Sequence, residues 1–213
     1  MELKTVSLAD RVYERLETDI LSGKYKRGEA LTELGLSAEL QVSRTPIREA
    51  LRRLQQDALV EEKGHGLVVL GITKQDIKDM YAVRLRIEDL AVRGFIENAG
   101  EEALQELREA VEYQEFYLAK QNPEKMRSGD GRFHDILYTH CGSAVLQAVL
   151  VPLHKKVQRY REISLSSSGR AVKSIEEHKA ILAAIEAKDS PLAEKLILEH
   201  VENALESILA KEE

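Results

Sequence analysis

The stretch QVSRTPIREALRRLQQDALVEEKGHGLVVLG, residues 41–71, decides the fold of the first third of the chain, because its apolar spacing changes halfway along. In its first half Ile47, Ala50, Leu51 and Leu54 recur at helical intervals, with Ser43 or Thr45 available as N-cap and Pro46 tolerated in the first turn. After Leu59 the period falls from about 3.6 to 2, and GHG at 64–66 separates two short β-prone runs, which is the pattern of a hairpin. Arg44, Arg48 and Arg52 stand one turn apart on a face different from the apolar stripe, so solvent or a partner can reach them.

Upstream, Ser7 followed by Leu8, Val12, Leu16 and Ile20 reads as a capped amphipathic helix, with Asp10 in its first turn favourable to the helix dipole. SGKYKRGEAL breaks that helix with two glycines, and a short helix follows near Glu33–Leu40. Three helices and a hairpin predict a winged helix-turn-helix over residues 1–71. From Thr73 onward only helical patterns remain, at about 74–98, 101–120, 123–140, 143–163, 172–188 and 190–211. Breaks fall at NAG, KQNP, CGS, SLSSSG and KDSP. The expected fold is therefore mainly α: the winged domain, a junction at GITKQ, and an all-α helical bundle over residues 75–213.

The composition agrees with a soluble, helix-rich protein, being 32% charged and 43% apolar with four prolines and no tryptophan in 213 residues. No apolar run reaches the roughly 18 residues that a membrane span needs, so no membrane partner is expected. MELKTVSLADRVYERL has no secretory apolar core and the single cysteine cannot form an intrachain disulfide, which points to a reducing cytoplasm. Cys141 lies in an apolar neighbourhood and reads as a small buried hydrophobe. The net charge of −6 argues against indiscriminate nucleic-acid coating, yet residues 40–56 carry four arginines against Glu49 alone.

A helix that reads the DNA major groove needs donors near its N-terminal end and an apolar opposite face. SRTPIREALRRL has both: arginine can bond guanine O6 and N7 together, while the Ser43 and Thr45 hydroxyls and the free N–H groups of the helix start suit phosphates. A row of arginines on an isolated helix is more often a solvated face, and the adjoining hairpin tilts the balance towards DNA. VSRTPIREALRRL followed by LVEEKGHGLVV resembles the N-terminal domain of GntR-superfamily bacterial transcription regulators over nearly all of residues 7–70. The resemblance implies a homodimer on double-stranded operator DNA in which Arg44, Thr45 and Arg48 contact the operator and the wing residue His65 reaches the minor groove; Ser43 and Arg52, from the reading of the helix itself, are further DNA-binding candidates. Two positions depart from that pattern: Leu34 stands beside Gly35 where many members have arginine, and Gln41 replaces the usual glycine before VSR.

In the second half, SGDGRFHDILYTH at 128–140 places Asp130 and His134 one helical turn apart. Alone, such a pair is most often a hydrogen-bonded core element. His178 shares the face of Ile175, Ile181, Leu182 and Ile185, and His200 that of Leu196, Ile197, Ala204 and Leu205, so both point inward. If KDSP turns the chain between antiparallel helices, each histidine lies about 11 residues from the turn, or roughly 16–17 Å, at one height of the hairpin. Three inward histidines and an aspartate form a plausible N₃O site for a divalent metal (Zn, Ni, Mn or Fe). Three separate buried histidines, each with its own partner, are the other reading.

The order YAVRLRIEDLA, DGRFHDIL, EEHKAILAAIEAKD and then EH resembles the FCD effector domain of the FadR branch of the same superfamily, over residues 75–210. The resemblance implies that Asp130, His134, His178 and His200 bind a divalent metal that holds a small organic acid by its carboxylate. Arg84 matches the family arginine of the first effector-domain helix, and pairing with Glu88 is its other reading. Arg159 and Arg161 are further effector-binding candidates, whereas His140 and His154 match no ligand position and are read as structural. The expected function is a ligand-responsive regulator, a repressor by preference. The rival is a metal-dependent hydrolase or lyase, against which stand the absence of H-E-x-x-H, nucleophile-elbow and P-loop motifs and the placing of Glu177 on another helix face than His178.

Overall fold

The chain divides at Thr73 into two units, Met1–Thr73 and Lys74–Glu213. The computed structural model describes residues 7–64, 66–164 and 169–210, without the side chains of residues 123, 159, 161–164 and 169.

In the first unit, helix α1 (Leu8–Leu21) starts at a capping box: the Ser7 hydroxyl accepts from the Asp10 N–H at 3.0 Å, and the Asp10 carboxylate accepts from the Ser7 N–H at 3.0 Å. Its buried positions Val12, Leu16 and Ile20 repeat every fourth residue and meet the buried face of α3 (Arg44–Gln56), formed by Ile47, Ala50, Leu51 and Leu54. Helix α2 (Glu33–Leu40) adds Leu36 to the same core. Between α2 and α3 the chain turns at Gln41, whose φ of +54° is left-handed, the conformation that usually selects glycine there. A hairpin follows, with β2 (Val60–Lys63) antiparallel to β3 (Gly66–Val69) and Val60 opposite Val69. The sequence reading expects only these two strands. A third, β1 (Ala30–Leu31), pairs antiparallel with the other edge of β3, giving the order β1-β3-β2. Two residues are too few for an alternating pattern, so this strand exists only through its partner.

The described part of the second unit is helical throughout: α4 (Lys74–Asn98), α5 (Glu101–Ala119), α6 (Pro123–Thr139), α7 (Ala144–Ser164), α8 (Gly169–Glu186) and α9 (Ser190–Leu209). Helix α8 starts three residues earlier than its apolar pattern suggests. The α8–α9 turn has Lys188 at φ +55° and Asp189 capping α9 through the Leu192 N–H at 3.1 Å. Helix α6 packs against α4, α5, α7 and α8, while α9 lies on α4 and α8. Phe95, Leu107, Phe133, Leu137, Leu150, Ile181 and Ile197 are all buried in the resulting core.

Gly94 lets α4 approach the end of α6: a Cβ there would stand 2.2 Å from the Cys141 carbonyl oxygen. Backbone cannot yield as a side chain can. Gly94→Ala is expected to lower unfolding stability by about 1–3 kcal/mol or more, read by urea denaturation, despite alanine's better helix propensity.

Candidate metal centre

Helix α6 carries Asp130 and His134, α8 carries His178 and α9 carries His200; one ligand atom from each lies within 4.8 Å of the others. The three histidines are buried, with ring centroids 4.6–5.3 Å apart. His178 and His200 thus meet across their helical hairpin at one height.

The protons on these rings follow from what stands behind each Nδ1. His200 Nδ1 lies 2.7 Å from Glu177 Oε2. A carboxylate only accepts, so Nδ1 carries the hydrogen and Nε2 is a bare lone pair. His178 Nδ1 faces Gln114 Oε1 at 2.9 Å. That amide is oriented by its own NH₂ group, which donates to the Ala110 and Gly129 carbonyls, so Gln114 offers an acceptor and His178 Nε2 is bare as well. His134 Nδ1 lies 3.1 Å from Glu88 Oε1, which also accepts from the Tyr138 hydroxyl at 2.6 Å. His134 Nδ1 also lies 3.2 Å from the Tyr138 hydroxyl; on the inner side His134 Nε2 and His200 Nε2 are within hydrogen-bond distance at 3.1 Å, and His178 Nε2 is buried with no hydrogen-bond partner among the described residues. Burial pushes the His178 imidazole well below its ordinary pKa and takes His200 down to about 4 against the pull of Glu177. Both are neutral at neutral pH.

Asp130 is the oxygen-bearing member of the group. Its Oδ1 lies 3.9 Å from His178 Nε2 and accepts from the Ser174 hydroxyl at 2.9 Å, while Oδ2 accepts from Gln158 Nε2 at 3.4 Å. The glycines beside it make room for its neighbours: a Cβ at Gly131 would meet the Gln158 amide at 2.6 Å, and one at Gly129 the Gln114 Cγ at 2.6 Å.

Behind His134, Arg84 and Glu88 form a buried bidentate pair, Nε to Oε2 at 2.8 Å and Nη2 to Oε1 at 3.0 Å. Burial opposes the Glu88 charge, but the Arg84 guanidinium overrides it and holds that carboxyl well below the usual range. Of the two readings of Arg84, the ion pair is the one these contacts make. The side chains of Arg159 and Arg161 lie outside the described residues, as does His65.

Four groups have roles that the sequence reading does not assign, Glu88 being named there only as the alternative partner of Arg84. Glu177 does leave α8 on another face than His178, yet it reaches His200 on α9, and Arg170 holds it there. Gln114 and Glu88 could have been found, because each occupies an apolar-face position of its helix, after Leu107, Ala110 and Val111 in α5 and after Ile77 and Tyr81 in α4. His154, set aside as structural, is 1% exposed with its ring centroid 4.3 Å from that of His134, and neither nitrogen has a hydrogen-bond partner among the described residues. Such an unpartnered buried atom costs about 1–3 kcal/mol.

On α3, Ser43 stands at the N-cap without a side-chain capping bond, and Ser43, Arg44, Thr45, Arg48 and Arg52 are all exposed. Arg44 and Arg48 are not free cations: Glu33 of α2 accepts from Arg44 Nη2 at 3.1 Å and from Arg48 Nε at 2.7 Å. Arg48 above all, with Arg44, takes the Glu33 carboxyl down to about 2, so the pairs persist above the ordinary carboxylate range and are lost only as pH falls towards 2.

The model of the FCD domain matches residues 79–203, and that of bacterial regulatory proteins of the gntR family matches residues 8–69. The HTH-type transcriptional regulator YdhC of Bacillus subtilis (strain 168) is 28% identical over 199 residues, covering 92% of this chain and 88% of its own. The gluconate operon transcriptional repressor of the same organism is 26% identical over 197 residues, covering 89% and 80%. Among solved structures, E. coli McbR/YncC superposes with a TM-score of 0.74 at 22% identity over 98% of this chain and 100% of its own, a likeness of fold. A GntR transcriptional regulator from Rhodococcus sp. RHA1 gives 0.71 at 25% identity, covering 95% and 97%.

Removing Arg84 would leave the Glu88 carboxylate buried against His134 with its main counter-charge gone. Arg84→Met is expected to lose about 3–5 kcal/mol of unfolding stability, measured by chemical denaturation, whereas the double change Arg84→Met with Glu88→Leu recovers much of that loss.

Proposed function

This chain belongs to the bacterial gntR regulator family with an FCD domain, and from that premise we propose that Asp130, His134, His178 and His200 hold a divalent metal whose open position takes the carboxylate of a small organic acid. The protein is a ligand-responsive, DNA-binding transcription regulator; its family and relatives are regulators, so the hydrolase or lyase reading is set aside. What carries the metal reading is the convergence of three buried imidazoles and one carboxylate, with one ligand atom from each within 4.8 Å of the others. Such an N₃O set suits Zn²⁺, Ni²⁺, Mn²⁺ or Fe²⁺, and a bound ion would act as a Lewis acid towards the effector carboxylate. Glu88, Gln114 and Glu177 would keep the rings oriented and their lone pairs forward. Arg84 serves this site through Glu88, and Arg159 and Arg161 remain candidates for the far end of the acid.

In the same reading residues 1–71 are the DNA-binding domain, with Arg44, Thr45, Arg48 and Arg52 on the operator, Ser43 at a phosphate and His65 at the wing. Residues 75–213 bind effector and a second copy, and the homodimer sets two α3 helices about 34 Å apart. The effector shifts the populations of DNA-competent and incompetent arrangements. Repression agrees with the relative named as the gluconate operon transcriptional repressor, and the same proposal makes the protein a cytoplasmic dimer. No described helix is long and apolar enough to cross a membrane.

Protein purified without a histidine tag and reconstituted should carry near one metal per chain by elemental analysis, with His134→Ala and His178→Ala strongly depleted. Absence of stoichiometric metal in the wild type after reconstitution would sink the reading. In gel shifts against the protein's own upstream DNA, Arg48→Ala should weaken binding by about 1–3 kcal/mol. Glu33→Gln should do the opposite on non-specific duplex, because it releases both arginines to the phosphates. Unchanged affinity in Arg48→Ala would argue against α3 as the reading helix.

A further inference from the structure

The four candidate ligands are not equally buried. The side chains of His134, His178 and His200 are 1%, 0% and 3% exposed, whereas that of Asp130 is 13% exposed, so the group comes nearest to solvent at its carboxylate residue. Along the outer flank of α6 runs an open groove of about 560 Å³, walled by Glu106 of α5 and Gln158 of α7. Two of its lining residues, Gly131 and Gln158, are also neighbours of Asp130: Gly131 follows it in the chain, and the Gln158 amide donates to its Oδ2 at 3.4 Å. The groove and the ligand group thus share a wall, and the Gln158 side chain is part of it.

That part of the wall can move without any helix moving. A bond of 3.4 Å is long for N–H···O, so the amide is held only weakly against Asp130. Gly131 leaves the space in which the amide lies, since a Cβ there would stand 2.6 Å from Gln158 Nε2 and 2.7 Å from Oε1. Ser128 and the carboxylates of Glu106 and Asp135 line the same groove and offer oxygen to an incoming cation ahead of Asp130; Arg132, also on the lining, has Glu109 3.8 Å away. We propose that this groove is the entry route to the ligand group and that Gln158 is its gate. A hydrated divalent cation is drawn in past Glu106 and Asp135 and reaches Asp130 when the Gln158 amide swings away from it. The inference rests on the metal reading of Asp130, His134, His178 and His200, and adds the path and its control. A gate changes the barrier in both directions and leaves the equilibrium nearly untouched. A side chain that only steadied Asp130 would, on removal, speed loss and weaken binding.

The test is stopped-flow measurement of Co²⁺ uptake by metal-free full-length protein, and of Co²⁺ loss to excess EDTA, for wild type, Gln158→Ala and Ser128→Trp. In Gln158→Ala both uptake and loss are expected to quicken about ten-fold, with the dissociation constant within about three-fold of wild type. Ser128→Trp fills the groove from an exposed position of α6 and should slow both about five-fold at unchanged metal stoichiometry. Faster loss with weaker binding and unchanged uptake in Gln158→Ala makes that residue a support for Asp130 and overturns the gate. Unchanged rates in either variant overturn the route while leaving the metal reading intact. A wild type that takes up no Co²⁺ overturns the metal reading and the route with it.

Discussion

Two imidazole nitrogens, His134 Nε2 and His200 Nε2, lie within hydrogen-bond distance at 3.1 Å, and the buried His178 Nε2 beside them has no hydrogen-bond partner among the described residues. The arrangement persists because each ring is held from behind by an acceptor: Glu88, Glu177 or Gln114. Without those acceptors the rings could turn, exchange tautomers and satisfy one another. The helical unit is organised around that constraint, since holding three acceptors in place requires contributions from α4, α5 and α8 at once.

Each acceptor needs support of its own. Glu88 is fully buried and remains charged because Arg84 pairs with it through two hydrogen bonds. Glu177 is held by Arg170, and Gln114 by two backbone carbonyls. Buried charges of this kind contribute little net stability, because desolvation offsets most of their attraction, but losing one partner is severe. A cation held by such a group would be coupled to folding, because the ligands come together only in the folded chain.

The arginine helix of the first unit follows a related logic at the surface. Glu33 gives Arg44 and Arg48 a carboxylate to bond, which fixes their direction along one side of α2 and α3. The two side chains remain 60% and 66% exposed, so these pairs are worth little and exchange readily for another anion. A phosphate is the anion that the family's DNA-binding role supplies. Leu34, beside them, is 71% exposed, an apolar contact surface where the family pattern more often has a cation.

Periodicity alone determined the element types, since a stripe such as Ile47, Ala50, Leu51 and Leu54, or a run such as LVV, specifies helix or strand through local geometry. It also brought His178 and His200 to one height, because a helical hairpin with a known turn is nearly one-dimensional. The tertiary structure alone decided what lies behind each ring. Glu177 reaches across to a histidine on the next helix, Gln114 comes from 64 residues upstream of His178, and His154 lies beside His134 from a helix with no ligand motif. Those pairings depend on how helices pack across one another, and no spacing within a single helix encodes them. Strand β1 has the same origin, its two residues acquiring their conformation from the edge of β3 that they meet.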